Sequence, residues 1–168
     1  MDTFEAVRTV LAVRSFQKKP IPPEIIQRIV DAGRLTGSGK NRQPWQFVVV
    51  QEADTIARLA TLAKTGPYIA GAGAAIVVAI EKDDFALSDG SRAIQSMILT
   101  AWSEGVGSNW VGFRGLDGVR SLLGIPEDLD VLAVVPLGYA AETRGGNKKN
   151  RKPMSEVAHR ESFGVSFV

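Results

Sequence analysis

The sequence predicts an α+β protein in which helices cover both faces of a small sheet. Two apolar runs of strand length, residues 74–80 and 131–138, are rich in aliphatic residues and contain no charge, which is typical of buried strands. In several other segments apolar residues recur at intervals of three and four, as they do along one face of a helix. The chain has 168 residues, a common size for one domain, so we expect a single domain over residues 1–168.

Two helices are predicted ahead of the first strand. Residues 4–11 carry apolar side chains at helical spacing. They follow Asp2 and Thr3, whose side chains can accept hydrogen bonds from first-turn amides. A proline pair opens a second helix at residues 22–23, because proline suits the first helical turn, and glycines soon after Leu35 end it.

The next predicted elements are a strand, a helix and a second strand. Residues 46–51 are too few and too β-branched for a helix, and they predict a buried strand. We expect a helix over residues 54–64, a turn rich in glycine and alanine over 66–73, and the strand over 74–80.

The longest predicted helix covers residues 88–104. It is apolar on several sides, so we expect it in the middle of the structure. Gly105 can take the positive φ that ends it. Pro136 indicates an edge strand or a strand end, since proline donates no backbone hydrogen bond. The remaining predicted elements are a short strand over 109–111, a small helix over 117–123 and the strand over 131–138.

Composition excludes several classes of site. The chain has no cysteine and one histidine, His159, which excludes disulfides and thiolate metal centres and argues against a zinc site or a histidine-based catalytic triad. No apolar run approaches the ~20 residues that span a bilayer, so we expect no membrane partner. The N-terminal residues lack a basic-then-apolar signal pattern, and we expect a cytoplasmic protein.

The net charge of +2 conceals a basic segment near the C-terminus. Residues 144–160 hold six basic residues against one acid, Glu156, so the rest of the chain is mildly acidic. Composition alone leaves a solvated charge run, a nucleic-acid patch and an anion clamp open. Because nucleic-acid binders usually spread more positive charge, we expect no nucleic-acid partner and favour one bound anion. The basic residues are Arg144, Lys148, Lys149, Arg151, Lys152 and Arg160.

Four motifs follow one another along the chain. Residues 13–16 read Val-Arg-Ser-Phe, and residues 38–45 have the form Ser-x-x-Asn-x-Gln-Pro-Trp. Residues 105–113, which end at Phe113, read Gly-Val-Gly-Ser-Asn-Trp-Val-Gly-Phe, and the basic residues 149–153 precede Ser-Glu-Val at 155–157. Together these motifs resemble the flavin-dependent nitroreductase family over nearly the whole chain.

The resemblance implies a nitroreductase-like sandwich, with a central, mostly antiparallel sheet flanked by helices. It also implies a homodimer that binds FMN at the subunit interface. The FMN phosphate is dianionic, so Arg14, Lys149 and Arg151 would bind it through charge-assisted hydrogen bonds. That binding would give the basic segment a function.

The resemblance further implies two sets of contacts to the flavin ring. Ser38, Gly39 and Asn41 would reach the flavin that is bound mainly by the other subunit. The backbone amides of Val111 and Gly112 would face the flavin edge near N5, where a donor stabilises developing negative charge. We expect no catalytic side chain and no metal, because the flavin carries the chemistry.

The activity that the resemblance implies is that of an NAD(P)H-dependent flavin oxidoreductase. Such an enzyme takes hydride from NADH or NADPH onto FMN and reduces a nitroaromatic, a quinone or a similar small-molecule acceptor by a ping-pong mechanism. Relatives that use a deazaflavin or consume the flavin as substrate are alternatives. A non-catalytic domain that binds flavin or nucleic acid is another.

The N-terminal motif departs from the family pattern. The family commonly has Arg-Arg-Ser where this chain has Val-Leu-Ala at residues 10–12. Lys148, Lys149 and Arg151 compensate for the missing cations, with help from Arg8, or FMN is held less tightly, or the preferred flavin differs.

The C-terminal residues are unexpectedly apolar. Chain ends are usually frayed and polar, whereas here large apolar residues alternate with small ones. This pattern predicts a strand docked on the chain's own sheet or on the partner subunit. The apolar residues are Phe163, Val165, Phe167 and Val168.

Overall fold

The computed structural model describes residues 1–112, 115–142 and 149–168. Phe113, Arg144 and Lys148, which the sequence motifs and the basic segment include, lie outside the described residues.

One antiparallel sheet forms the centre of the described structure. Its strands are β1 (Trp45–Val50), β2 (Ala74–Glu81), β3 (Gly107–Ser108), β4 (Val111–Gly112) and β5 (Leu129–Gly138). Across the sheet β2 lies between β1 and β5, and the far side of β5 pairs with both β3 and β4. All of these pairings are antiparallel, which confirms the sheet that the resemblance implies.

Helices cover both faces of this sheet, as predicted. They are α1 (Thr3–Thr9), α2 (Pro23–Arg34), α3 (Ala53–Leu62), α4 (Asp84–Ser103), α5 (Asp117–Leu123) and α6 (Met154–Val157). Side chains of β2 are buried on both faces of the sheet: Ile76 and Val78 pack in one cluster with residues of α2 and α4, whereas Val77 packs in the other with residues of α3 and α5. Such two-sided burial produces a continuous apolar run instead of an alternating one.

The prediction of a short strand over residues 109–111 is wrong in its bounds. β3 and β4 pair with β5 in one common register, and the two residues between them, Asn109 and Trp110, interrupt the ladder. Pro136 of β5 lies opposite this interruption, and a proline offers no N–H to a ladder. Of the two alternatives that Pro136 indicated, the edge strand is wrong, because β5 has neighbours on both sides. The strand end is confirmed, since Pro136 lies two residues before β5 ends.

Helix α4 begins earlier than predicted and ends as predicted. The Asp83 side chain accepts a 2.7 Å hydrogen bond from the backbone N–H of Phe85 and caps the helix, so that α4 starts one turn before Ser88. At its other end Gly105 has φ +75°. Tight packing holds α4 against α2, since a Cβ on Gly33 would lie 2.8 Å from Met97 Cε.

The C-terminal residues do not dock on the chain's own sheet. Residues beyond α6 form an isolated antiparallel bridge between His159 and Ser166, and Phe163 remains 92% exposed. Docking on the own sheet, one of the two predicted alternatives, is therefore wrong. No helix within the described ranges is both long and apolar enough to cross a bilayer.

Candidate functional site

In the loop of residues 38–43, three residues that are not glycine adopt left-handed backbone angles. Lys40, Asn41 and Gln43 have φ values of +52°, +56° and +53°, in a region that costs a non-glycine residue roughly 1–3 kcal/mol. Within the loop, the Ser38 hydroxyl accepts a 2.9 Å hydrogen bond from the backbone N–H of Gln43. The predicted flavin-contacting residues Ser38, Gly39 and Asn41 thus share one constrained turn.

Two groups of contacts attach this loop to the rest of the protein. The backbone N–H of Gly39 donates to Asp89 Oδ2 of α4 at 3.0 Å. The Arg42 guanidinium pairs with Asp83 at 2.6 Å and with Glu81 at 3.1 Å, and its hydrogen bond holds the pKa of the Asp83 carboxyl below its ordinary value. The loop is therefore held on α4 and at the end of β2.

A basic pocket of about 500 Å³ lies between α1, α4 and the C-terminal segment. Lys149 donates a 2.6 Å hydrogen bond to the Val7 carbonyl of α1. Burial, followed by the neighbouring charge of Arg151, lowers the pKa of Lys149 below its ordinary value. An anion in the pocket would offset both effects, because an opposite charge favours the charged form of Lys149. The described residues that line the basic pocket are Val7, Arg8, Val10, Gln95, Lys149 and Arg151.

Arg8 contributes less positive charge to this pocket than its position suggests. It donates to both carboxylate oxygens of Glu5, at 2.8 and 2.9 Å, and the hydrogen bond raises the pKa of Arg8 above its ordinary value. The charge available to an anion comes mainly from Lys149 and Arg151. The structure thus brings these two predicted phosphate ligands together.

Arg14 is not among the residues that line the basic pocket. Its guanidinium lies 5.8 Å from the ring centroid of Tyr68, within the range of a cation–π contact. The Tyr68 hydroxyl in turn accepts a hydrogen bond from the side-chain amide of Asn109. Arg14 is therefore placed beside the interruption between β3 and β4.

Val111 and Gly112 lie close to the same place. The segment that leads to Arg14 runs along the edge of β3, where Ala12 forms a parallel bridge with Ser108 and the Val13 N–H donates to the Ser108 carbonyl at 2.8 Å. Val111 is buried, and Gly112 packs so tightly that a Cβ there would lie 2.5 Å from the Leu132 carbonyl oxygen. Both predicted residues thus belong to a closely packed strand.

Three residues that contact the predicted site residues or lie beside them were not predicted from the sequence: Asp89, Tyr68 and Asn109. Asp89 looks like an ordinary helical acid, although an acid on an otherwise apolar helix face is a signal that could have drawn attention to it. Tyr68 and Asn109 meet only through the fold, and they are 41 positions apart in the chain. No local pattern indicates that contact.

The family profile that matches this chain decides its identity. The profile of the nitroreductase family matches residues 8–82 and 63–139, which include the loop, α4 and the sheet. The chain belongs to the nitroreductase family. This membership confirms both the resemblance and the expected enzyme class, an oxidoreductase.

Curated relatives agree with the nitroreductase assignment. A protein of Methanothermobacter thermautotrophicus, described as an NADH dehydrogenase/NAD(P)H nitroreductase, is 33% identical over 154 residues, or 86% of this chain and 81% of the relative. The NADPH-flavin oxidoreductase of Vibrio harveyi is 28% identical over 184 residues, or 96% of this chain and 75% of the relative.

Solved structures share the nitroreductase fold. A protein of Bacteroides thetaiotaomicron, also described as an NADH dehydrogenase/NAD(P)H nitroreductase, matches with a TM-score of 0.88 and 26% identity over 96% of this chain and 98% of that one. An FMN-dependent nitroreductase of Clostridium difficile matches with a TM-score of 0.86 over 95% and 99% of the two chains. At 22% identity the second match shows the fold alone.

Proposed function

We propose that this nitroreductase-family protein is an FMN-dependent oxidoreductase that takes hydride from NADH or NADPH. It passes the electrons to a nitroaromatic, a quinone or a similar small acceptor by a ping-pong mechanism. The observation that carries the proposal is the basic pocket, in which Lys149 and Arg151 meet beside α4. Relatives described as NAD(P)H nitroreductase and NADPH-flavin oxidoreductase support the donor and the flavin.

The chemistry of the pocket fits the phosphate of FMN. Two cations converge there, and Gln95 adds an amide that can donate a hydrogen bond. Charge-assisted hydrogen bonds of this kind are roughly twice as strong as neutral ones. With FMN bound, the pocket would supply the charge that the missing Arg-Arg-Ser motif would otherwise provide.

The isoalloxazine ring would lie near Arg14 and β4, so that Arg14 would contact the ring and not, as the resemblance implies, the phosphate. There the chain offers the Arg14 charge, which Tyr68 orients, and the backbone amides of Val111 and Gly112. FMN, when bound, accepts and gives up hydride. The residues of the chain bind and orient it and place fixed dipoles near it, so no side chain needs to titrate.

A flavin spectrum tests the proposal directly. The purified protein is expected to be yellow, or to become so with added FMN, and to bleach when NADH or NADPH is added without oxygen. Parallel titration with a deazaflavin identifies the preferred cofactor. A protein that takes up neither compound would refute the proposed activity.

The proposed working unit is a homodimer with flavin at the subunit interface. The 38–43 loop of one subunit would reach the flavin held by the basic pocket of the other. The exposed C-terminal side chains Phe163 and Phe167 supply apolar surface for a second copy, as do Phe4 and Val7 of α1. Burial of such side chains contributes roughly 1.5–3 kcal/mol each when it is complete.

Removal of residues 161–168 is expected to weaken the dimer, because it deletes this apolar surface. Sedimentation equilibrium should show a rise of at least about tenfold in the dimer dissociation constant, as the loss of one buried phenylalanine would produce. The variant Phe163→Ser with Phe167→Ser should behave similarly, whereas Phe85→Ser, at another exposed phenylalanine, serves as the control. An unchanged dimer would contradict the role of the C-terminus.

The cytoplasmic location stays a prediction.

A further inference from the structure

Asp89 is a buried acid on the core side of α4. Its residue surface is 3% exposed, whereas the other buried residues of α4, such as Ala93, Ile94 and Met97, are small or apolar. A buried carboxylate is costly unless each oxygen has a partner. The partners of Asp89 therefore indicate what the carboxylate is for.

Each oxygen of the Asp89 carboxylate has a partner. Oδ2 accepts the hydrogen bond from the Gly39 backbone N–H, and Oδ1 pairs with Arg92, one helical turn further along α4. Gly39 also lies close to the carboxylate, since a Cβ built on it would lie 3.7 Å from Oδ2. One oxygen thus binds a side chain of the same helix, and the other binds the backbone of the 38–43 loop.

The 38–43 loop needs such an anchor. Lys40, Asn41 and Gln43 adopt left-handed backbone angles, which persist only where the surroundings enforce them. The Arg42 ion pairs fix the end of the loop, and the Thr36 hydroxyl donates to Ser96 of α4 at 2.8 Å ahead of its start. Asp89 holds the part between them, where Gly39 directly follows Ser38 and lies two residues before Asn41.

We propose that Asp89 is a positioning residue that sets the 38–43 loop for contact with the flavin. The inference rests on the proposed function, and it concerns a residue that does not line the basic pocket. The carboxylate acts through the Gly39 amide, because a fixed Gly39 backbone also fixes the directions of Ser38 and Asn41. Loss of the acceptor at Asp89 would free this turn and weaken flavin binding without removing a flavin ligand.

Two variants separate the acceptor at Asp89 from its charge. Asp89→Leu removes the acceptor, whereas Asp89→Asn keeps an oxygen for the Gly39 N–H, loses the charge and turns its NH2 group toward Arg92, which can only donate. Asp31→Asn is the matched control, because Asp31 pairs with Arg34 three residues on, at 2.7 Å, on the surface of α2. If Asp89→Leu fails to fold, Asp89→Ala replaces it.

Two measurements are made on each full-length variant. FMN titration followed by flavin fluorescence gives the dissociation constant, and trypsin cleavage after Lys40 and Arg42 reports the freedom of the loop without flavin. Asp89→Leu is expected to raise the dissociation constant at least tenfold and to speed cleavage at least tenfold. Asp89→Asn should restore both values to within about threefold of wild type, as Asp31→Asn should, with melting temperatures recorded for all variants.

The two measurements distinguish failure of the inference from failure of the proposed function. If wild type binds FMN and Asp89→Leu binds it equally well, or is cleaved no faster, the positioning role is overturned and the proposed function stands. If Asp89→Asn is as impaired as Asp89→Leu, the acceptor is not what matters, and the inference is again overturned. A wild type that takes up no FMN overturns the proposed function and the flavin contact together, while the cleavage rates still show whether Asp89 holds the loop.

Discussion

Replacement of Lys149 by methionine together with Arg151 by glutamine is expected to raise the FMN dissociation constant about 100-fold. Each residue would contribute a charge-assisted hydrogen bond to the phosphate, worth about 1.5–3 kcal/mol. Because the pocket is partly open to solvent, we take the lower end of this range for both, which gives about 3 kcal/mol in total. At about 1.4 kcal/mol per tenfold change in affinity, this corresponds to two orders of magnitude.

Methionine and glutamine keep much of the length of the two side chains, so that the change is mainly one of charge. A variant that loses Arg58 of α3 and Lys64 just beyond it has the same net charge and serves as the control. Its dissociation constant should stay within about twofold of wild type at moderate salt, since distant exposed charges are screened. Equal affinities for wild type and the Lys149/Arg151 variant, measured by flavin fluorescence, would show that the phosphate lies elsewhere. If the Lys149/Arg151 variant instead lost affinity for nucleic acid, the alternative of a nucleic-acid partner would be favoured.

The sheet and its flanking helices could be predicted from the sequence, because a strand that is buried on both faces consists of consecutive apolar residues. Val77 and its neighbours in β2 are apolar without a break, as are most residues of β5, and the shortness and β-branching of these runs favour strands over buried helices. The division of β3 from β4 was not readable. It coincides with Pro136, which is adjacent in space and far away in sequence, and short strands carry too few residues to fix their own limits.

The residues of the candidate site also include some that could be predicted from the sequence and some that could not. Lys149 and Arg151 could be predicted because they lie in the basic motif that carries the family resemblance, and the structure places them in one pocket. Asp89 could not, since its role depends on the path of a loop 50 residues earlier in the chain. The left-handed angles at Lys40 and Gln43 were equally hidden, because these residue types give no sign of such a conformation.

Substitution of Gly112 by alanine is expected to destabilise the protein more than any other single methyl group added to β3 or β4. The new Cβ would lie 2.5 Å from the Leu132 carbonyl oxygen and 2.7 Å from the Trp110 ring nitrogen. Both distances are well below van der Waals contact, and a main-chain oxygen within a central strand has little room to move. β4 would have to separate from β5, where Gly112 pairs with Ala133.

Overpacking of this kind costs about 1–3 kcal/mol, and we expect the upper half of that range because the obstacle is backbone. For a protein of this size the melting temperature should fall by roughly 4–10 °C. Gly71→Ala provides the control, because a Cβ there meets nothing within 4 Å, and its melting temperature should remain that of wild type. The Gly112 variant should also lose affinity for FMN, since a displaced β4 carries away the amides proposed to face the flavin. A Gly112→Ala protein that melts with wild type would mean that β4 is not packed against Leu132 as described, and a stable variant with full FMN affinity would remove β4 from the proposed site.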